Sequence, residues 1–148
     1  MRNEKRLLRA RGICVIIPTF NNEKTIGEVV KETLCFCDDV VNDGCTDSTA
    51  QIIGEIDNIT VVAYSQNRGK GYALQQGFRK ALSMGFAYAI TLDADGQHKP
   101  EDIPLFLKAN QEHPGVLIIG ARPLQGVERS KGSDFANQFS NFWFFVQT

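Results

Sequence analysis

The chain has 148 residues, a formal net charge of −1 and 22% charged residues, which is one domain by length and leaves no large basic face for nucleic acid. No apolar run approaches the roughly 18 residues of a membrane-spanning helix, and the N-terminus lacks the apolar region of a secretory signal. Met1 to Arg11 carries Arg2, Lys5, Arg6, Arg9 and Arg11 against the single acid Glu4, with Leu7 and Leu8 between them. It reads as a solvated basic leader, with a membrane-surface contact as the second reading. The four cysteines, Cys14, Cys35, Cys37 and Cys45, include no C-x-x-C pair and are expected as free thiols in a reducing cytoplasm.

Ile13-Cys14-Val15-Ile16-Ile17, stopped by Pro18, suits a strand buried on both faces. Asn21 or Asn22 can cap a helix whose stripe, Ile26, Val29, Val30, Lys31 and Thr33-Leu34, runs to about Cys37. Asp39-Val40-Val41-Asn42-Asp43 is a very short second strand, followed by a helix ending near Ile56 and a third strand, Ile59-Thr60-Val61-Val62-Ala63. The next helix puts Ala73, Leu74, Gly77, Phe78, Ala81 and Leu82 on one face, and Gly85 closes it. A fourth strand begins at Tyr88 and ends in Asp93-Ala94-Asp95-Gly96-Gln97-His98. Lys99 to Asn110 is a helix with Pro100 in its first turn, and residues 116–120 are a fifth strand. Strands alternating with single helices predict a Rossmann-like three-layer α/β/α sandwich with a mostly parallel sheet.

In such a sheet the loops after the strands gather at one edge, where ligands bind. In extended backbone Asp93 and Asp95 point to one side, and Gly96 permits the turn that would bring Gln97 back as an oxygen ligand. Hard oxygen donors suit Mg2+ or Mn2+. A calcium loop starting at Asp93 would need glycine and glutamate where His98 and Pro104 stand; a plain Asp-rich turn is the structural alternative. The dinucleotide fingerprint fails because the first turn has no glycine, and the P-loop fails because Tyr64 and Gly71 occupy its fixed positions. Jointly the four loops offer an aromatic, paired carboxylates, a lysine and an arginine, the groups that a nucleotide diphosphate with a metal needs.

Ile16-Ile17-Pro18-Thr19-Phe20-Asn21, Asn42-Asp43-Gly44-Cys45-Thr46-Asp47-Ser48-Thr49, Asn67-Arg68-Gly69-Lys70-Gly71 and Asp93-Ala94-Asp95-Gly96-Gln97-His98 resemble, in order, the motifs of family 2 inverting glycosyltransferases of the GT-A fold. The Gln97-His98 ending is most similar to the polyprenyl- and dolichyl-phosphate hexose synthase branch. The resemblance covers about residues 12–122. It implies donor binding by Pro18, Thr19, Phe20, Asn21, Glu23, Asp43, Lys70 and Asp93, with Asp43 reading the nucleoside base, and a metal held by Asp93, Asp95 and Gln97. Asn42 departs from the family pattern, which opens the second motif with two aspartates.

The expected organisation is a leader over 1–11, a nucleotide-sugar-binding GT-A domain over 12–122, and a loop with an aromatic helix over 123–148 that starts an incomplete acceptor region. Phe135, Phe139, Phe142, Trp143, Phe144 and Phe145 lie in that last part and suggest a missing partner or a membrane face. The catalytic base is expected beyond Thr148, leaving this chain to bind donor with at most slow hydrolysis. The expected reaction is hexose transfer, with inversion, from a nucleotide-diphosphate sugar to a lipid-phosphate or glycan acceptor, in the cytoplasm or at the inner face of the cytoplasmic membrane. The competing readings are a sugar-1-phosphate nucleotidyltransferase, whose Gly-rich basic first loop is not found here, and a non-catalytic nucleotide-sugar-binding fragment.

Overall fold

Strand β1, Ile13–Thr19, is apolar over most of its length and buried throughout. In the computed structural model, which describes residues 8–34 and 39–120, β1 is flanked by β2, Asp39–Asp43, and by a further strand, Tyr88–Thr91. Beyond β2 lies β3, Thr60–Tyr64, so that with Tyr88–Thr91 as β4 the order is β3-β2-β1-β4. All three pairings are parallel, with Ile16 opposite Asp39, Asp39 opposite Thr60 and Ile13 opposite Tyr88. A central parallel strand has both faces covered, which is why β1 reads as a continuous apolar run and not an alternating one. Each isoleucine fully buried there contributes roughly 1.5–3 kcal/mol relative to exposure.

The helices are α1, Ile26–Thr33; α2, Thr49–Gly54; α3, Lys70–Ser83; and α4, Ile103–Glu112, which follows a 3-10 turn, Pro100–Asp102. Ile26, Val29, Val30 and Thr33 follow the helical repeat and are all buried. With Ile53 of α2 and Ile103 and Leu107 of α4 they pack on Ile13, Val15, Ile17 and Ile90. On the other face α3 covers Cys14, Ile16 and Ala89. Its buried positions, Ala73, Gly77 and Ala81, recur every four residues; their small size lets the helix lie close against the sheet. Helices on both faces of a parallel sheet make the three layers that the alternation of elements predicts.

Several expectations are corrected. Residues 116–120 are not a strand. An apolar run becomes a strand only where a neighbour accepts its backbone. Here Val116, Leu117 and Ile119 stay 46%, 44% and 44% exposed, while Gly120 abuts the ring of Phe106, which an added Cβ would approach to 2.8 Å. Leu82, assigned to the buried face of α3, is exposed; it falls one step round from the Ala73, Gly77 and Ala81 line. Neither Asn21 nor Asn22 caps α1, which begins after Thr25. The Asn22 carbonyl instead accepts the N–H groups of Thr25 and Ile26, building a turn ahead of the helix. Leu8, expected in a solvated leader, is buried in the main core. Cys14 is buried and Cys45 half-buried; Cys35, Cys37, the leader's Arg2, Lys5 and Arg6, and the aromatic segment 123–148 lie outside the described residues.

Candidate functional site

The strand order reverses at β1, with β2 and β3 extending to one side and β4 to the other. At such a switch point the loops leaving the two neighbouring strands diverge and open a crevice. A pocket of about 380 Å³ lies there, lined by Pro18, Thr19, Phe20 and Asn22 after β1, Asp43 at the end of β2, Asn67, Gly69, Lys70 and Ala73 around the start of α3, and Asp93, Ala94 and Asp95 after β4. Of the predicted site residues, Pro18, Thr19, Phe20, Asp43, Lys70, Asp93 and Asp95 therefore share one pocket. Asn21, Glu23 and Gln97 are not among its lining residues.

Asn21 and Glu23 tie the first loop to the second. The Asn21 side chain accepts the N–H of Thr46 at 2.9 Å, and the Asp47 carboxylate accepts the N–H groups of Glu23 at 3.2 Å and Thr49 at 3.0 Å. Glu23 in return accepts the N–H of Ser48 at 3.1 Å, and buried Thr49 accepts the N–H of Asn22 at 2.9 Å. Desolvation opposes ionisation of Asp47, but hydrogen bonds from Thr49 and Glu23 outweigh it and lower the pKa. Cys45 sits in the same seam, accepting the N–H of Asn21 at 3.3 Å and donating to the Thr19 carbonyl at 3.5 Å. Burial pushes its thiol pKa up, and nearby Asp47 and Asp43 act in the same direction.

Asp43 is 2% exposed, and a buried carboxylate needs donors. Its Oδ1 accepts the N–H of Arg68 at 3.0 Å, and its Oδ2 accepts from the Asn67 side chain at 3.3 Å. Each oxygen retains a second lone pair for a ligand. The Arg68 guanidinium lies 4.2 Å from the centre of the Tyr72 ring, which meets Tyr64 edge-on at 5.2 Å. The Tyr64 hydroxyl is buried beside the Asp43 carboxylate. Burial, reinforced by the neighbouring Asp43 carboxylate, raises the Tyr64 pKa well above its ordinary value.

β4 ends at Thr91, so Asp93 and Asp95 stand in the following turn and not in extended strand. The Thr25 hydroxyl holds that turn by donating to the Ala94 carbonyl at 2.6 Å. The Asp93 N–H donates to His98 Nδ1 at 3.2 Å, and the Asp93 carboxylate pairs with Lys70 Nζ at 2.5 Å. Asp95 Oδ1 accepts the N–H of Gln97 at 2.9 Å, and its Oδ2 takes no protein donor among the described residues. Gln97 thus closes the loop through its backbone, with its side chain exposed. Among the described residues no cluster of three or more His, Cys, Asp or Glu side chains converges as a cation site. Asn22, Asn67, Gly69, Ala73 and Ala94 also line the pocket but are not among the site residues expected from the sequence; the polar loops after β1 and β3 are the signal that could find the two asparagines.

The family model described as Glycosyl transferase family 2 matches residues 14–145. The chain belongs to glycosyl transferase family 2. A UDP-N-acetylglucosamine–dolichyl-phosphate N-acetylglucosaminyltransferase of Methanococcus voltae is 31% identical over an alignment of 129 positions that covers 74% of this chain and 51% of that one. A polyprenol monophosphomannose synthase of Mycolicibacterium smegmatis is 31% identical over an alignment of 121 positions that covers 76% of this chain and 45% of the relative. This family 2 chain spans about half the length of the curated relatives it matches. Glucosyl-3-phosphoglycerate synthase from Mycobacterium tuberculosis, solved in complex with Mn2+, uridine-diphosphate-glucose and phosphoglyceric acid, matches the fold with a TM-score of 0.63 at 22% identity, covering 82% of this chain and 47% of the other. The sandwich of this family 2 chain is the GT-A fold.

Proposed function

We propose that this chain is the donor-binding part of a metal-dependent inverting glycosyltransferase, which moves a hexose from a nucleotide-diphosphate sugar to a lipid-phosphate acceptor of the polyprenyl phosphate class. The observation that carries this reading is the convergence of buried Asp43, Lys70, Asp93 and Asp95 on one pocket of about 380 Å³, a size suited to a small-molecule ligand. Asp43 reads the base through the lone pairs that Arg68 and Asn67 leave open. Pro18, Thr19 and Phe20 form the wall beside it, and Asn21 and Glu23 support that wall from behind. Lys70 faces the diphosphate and Asp93 the ribose.

The donor set fits a hard dication such as Mg2+ or Mn2+. Asp93 and Asp95 offer two carboxylates on the pocket wall, and such ions complete their shells with substrate phosphates and water. Gln97 follows Asp95 in the same turn and has an exposed side-chain amide. When bound, the ion neutralises charge on the diphosphate leaving group. The chain's own residues hold the sugar so that the acceptor oxygen forms a bond to the anomeric carbon from the face opposite the diphosphate, whose bond to that carbon breaks. A single displacement of this kind inverts the anomeric centre. Among the described residues no helix is long and apolar enough to cross a membrane; with a lipid-phosphate acceptor the reaction would run peripherally, at the inner face of the cytoplasmic membrane.

A thermal-denaturation panel of nucleoside-diphosphate sugars, each with and without Mn2+, tests this. At a hundredfold excess over Kd a true donor stabilises by about 2.7 kcal/mol, so at least one is expected to raise Tm, more with Mn2+ than without. A panel in which none moves Tm under either condition overturns the proposal.

A further inference from the structure

Lys70 and Asp93 reach each other from different elements, the first turn of α3 and the loop after β4, and both line the pocket. The ammonium lies 2.5 Å from Asp93 Oδ1, while the backbone of Asp93 is fixed by its hydrogen bond to His98. A cation that coordinates this oxygen meets the ammonium at close range, and repulsion between the two positive charges favours one occupant over both. Resting on the donor-site reading above, we infer that Lys70 competes with the divalent cation for Asp93, so that metal and diphosphate bind cooperatively through the breaking of this ion pair.

The ammonium sits on a flexible four-carbon stem. Once displaced it remains beside the pocket, where a diphosphate is the natural counter-ion. In the other direction, a diphosphate that draws Lys70 away uncovers a carboxylate oxygen for the cation. Each ligand therefore tightens the other by the same factor, as linkage requires. The Lys70 side chain is 57% exposed and that of Asp93 22%, and ion pairs of this exposure add little to folding. Replacing Lys70 should thus alter ligand coupling and leave the fold intact.

The test measures Mn2+ binding to the chain from the electron paramagnetic resonance of the free ion, with and without UDP, in the wild type and in Lys70→Met. Lys70→Met is expected to bind Mn2+ alone about two- to fivefold more tightly than the wild type, the range of an exposed ion pair. The gain in Mn2+ affinity caused by UDP should shrink in the variant. If Lys70→Met binds Mn2+ alone no more tightly than the wild type and keeps the full gain from UDP, the inference is overturned while the donor-site reading stands. If the wild type binds no Mn2+ either with or without UDP, both fall. Asp93→Asn gives an independent arm: with Lys70 released, metal-free inorganic pyrophosphate should bind more tightly than to the wild type, and unchanged or weaker binding contradicts the competition.

Discussion

Asp43 illustrates how one residue serves both stability and the site. Its carboxylate satisfies the Arg68 N–H and the Asn67 side chain, so Asp43→Ala leaves two donors without their acceptor and should lower unfolding free energy by roughly 1–3 kcal/mol in urea titrations. Tyr64→Phe should act more mildly, because the Tyr64 hydroxyl lies beside the Asp43 carboxylate without a short hydrogen bond to it; a smaller fall in Tm than that of Asp43→Ala is expected. The same tyrosine sets a pH dependence. Its folded pKa is raised above the ordinary tyrosine value of 10.0, so its contribution is complete below pH 10 and is lost as pH rises through the folded value. Tyr64→Phe should therefore reduce the alkaline fall in stability, measured as Tm between pH 9 and 11. Asp47 has the reverse sign: its lowered pKa gives stability that is present above about 3.8 and is lost as pH falls through the folded value.

At the scale of elements, turns decide the site. Gly44 has φ +61, and a Cβ there would come within 2.5 Å of the Asn67 backbone nitrogen, so the loop after β2 and the loop after β3 are in backbone contact through a glycine. Gly44→Ala combines left-handed strain, roughly 1–2 kcal/mol, with that clash, and should destabilise more than Gly69→Ala, which carries backbone strain alone. Gly69 has φ +87 but an open space around it. Parallel denaturation of the two variants measures the difference. The β/α order and the apolar runs of β1, β3 and β4 were legible in the sequence because periodicity and turn residues are local. The partners of Asp43 were not, because Asn67 and Arg68 follow it by 24 and 25 residues and meet it only through the parallel pairing of β2 with β3. The apolar run 116–120 misled for the same reason: its composition suits a strand, but whether a neighbour accepts its backbone is a tertiary matter. Asn22 read as a helix cap, and its side chain in fact accepts from Thr19 and Phe20.

For the whole molecule, the parallel sheet brings four loops to one edge and its switch point opens the crevice between them. The two halves of the pocket have different chemistry: Asp43 is buried and hydrogen-bonded beside β2, while Asp93 and Asp95 stand in the turn after β4. A nucleotide-sugar site divided in this way should respond to the two halves separately. The most direct measurement is calorimetric titration of the sugar nucleotide that most raises Tm, with and without Mn2+, into the wild type, Asp43→Asn and Asp95→Ala. Asp43→Asn should weaken binding by about 1–3 kcal/mol under both conditions, whereas Asp95→Ala should abolish the Mn2+-dependent part and leave metal-free binding in place. Wild-type affinity in both folded variants, with Mn2+ present, would contradict the assignment of this pocket to the donor and its cation.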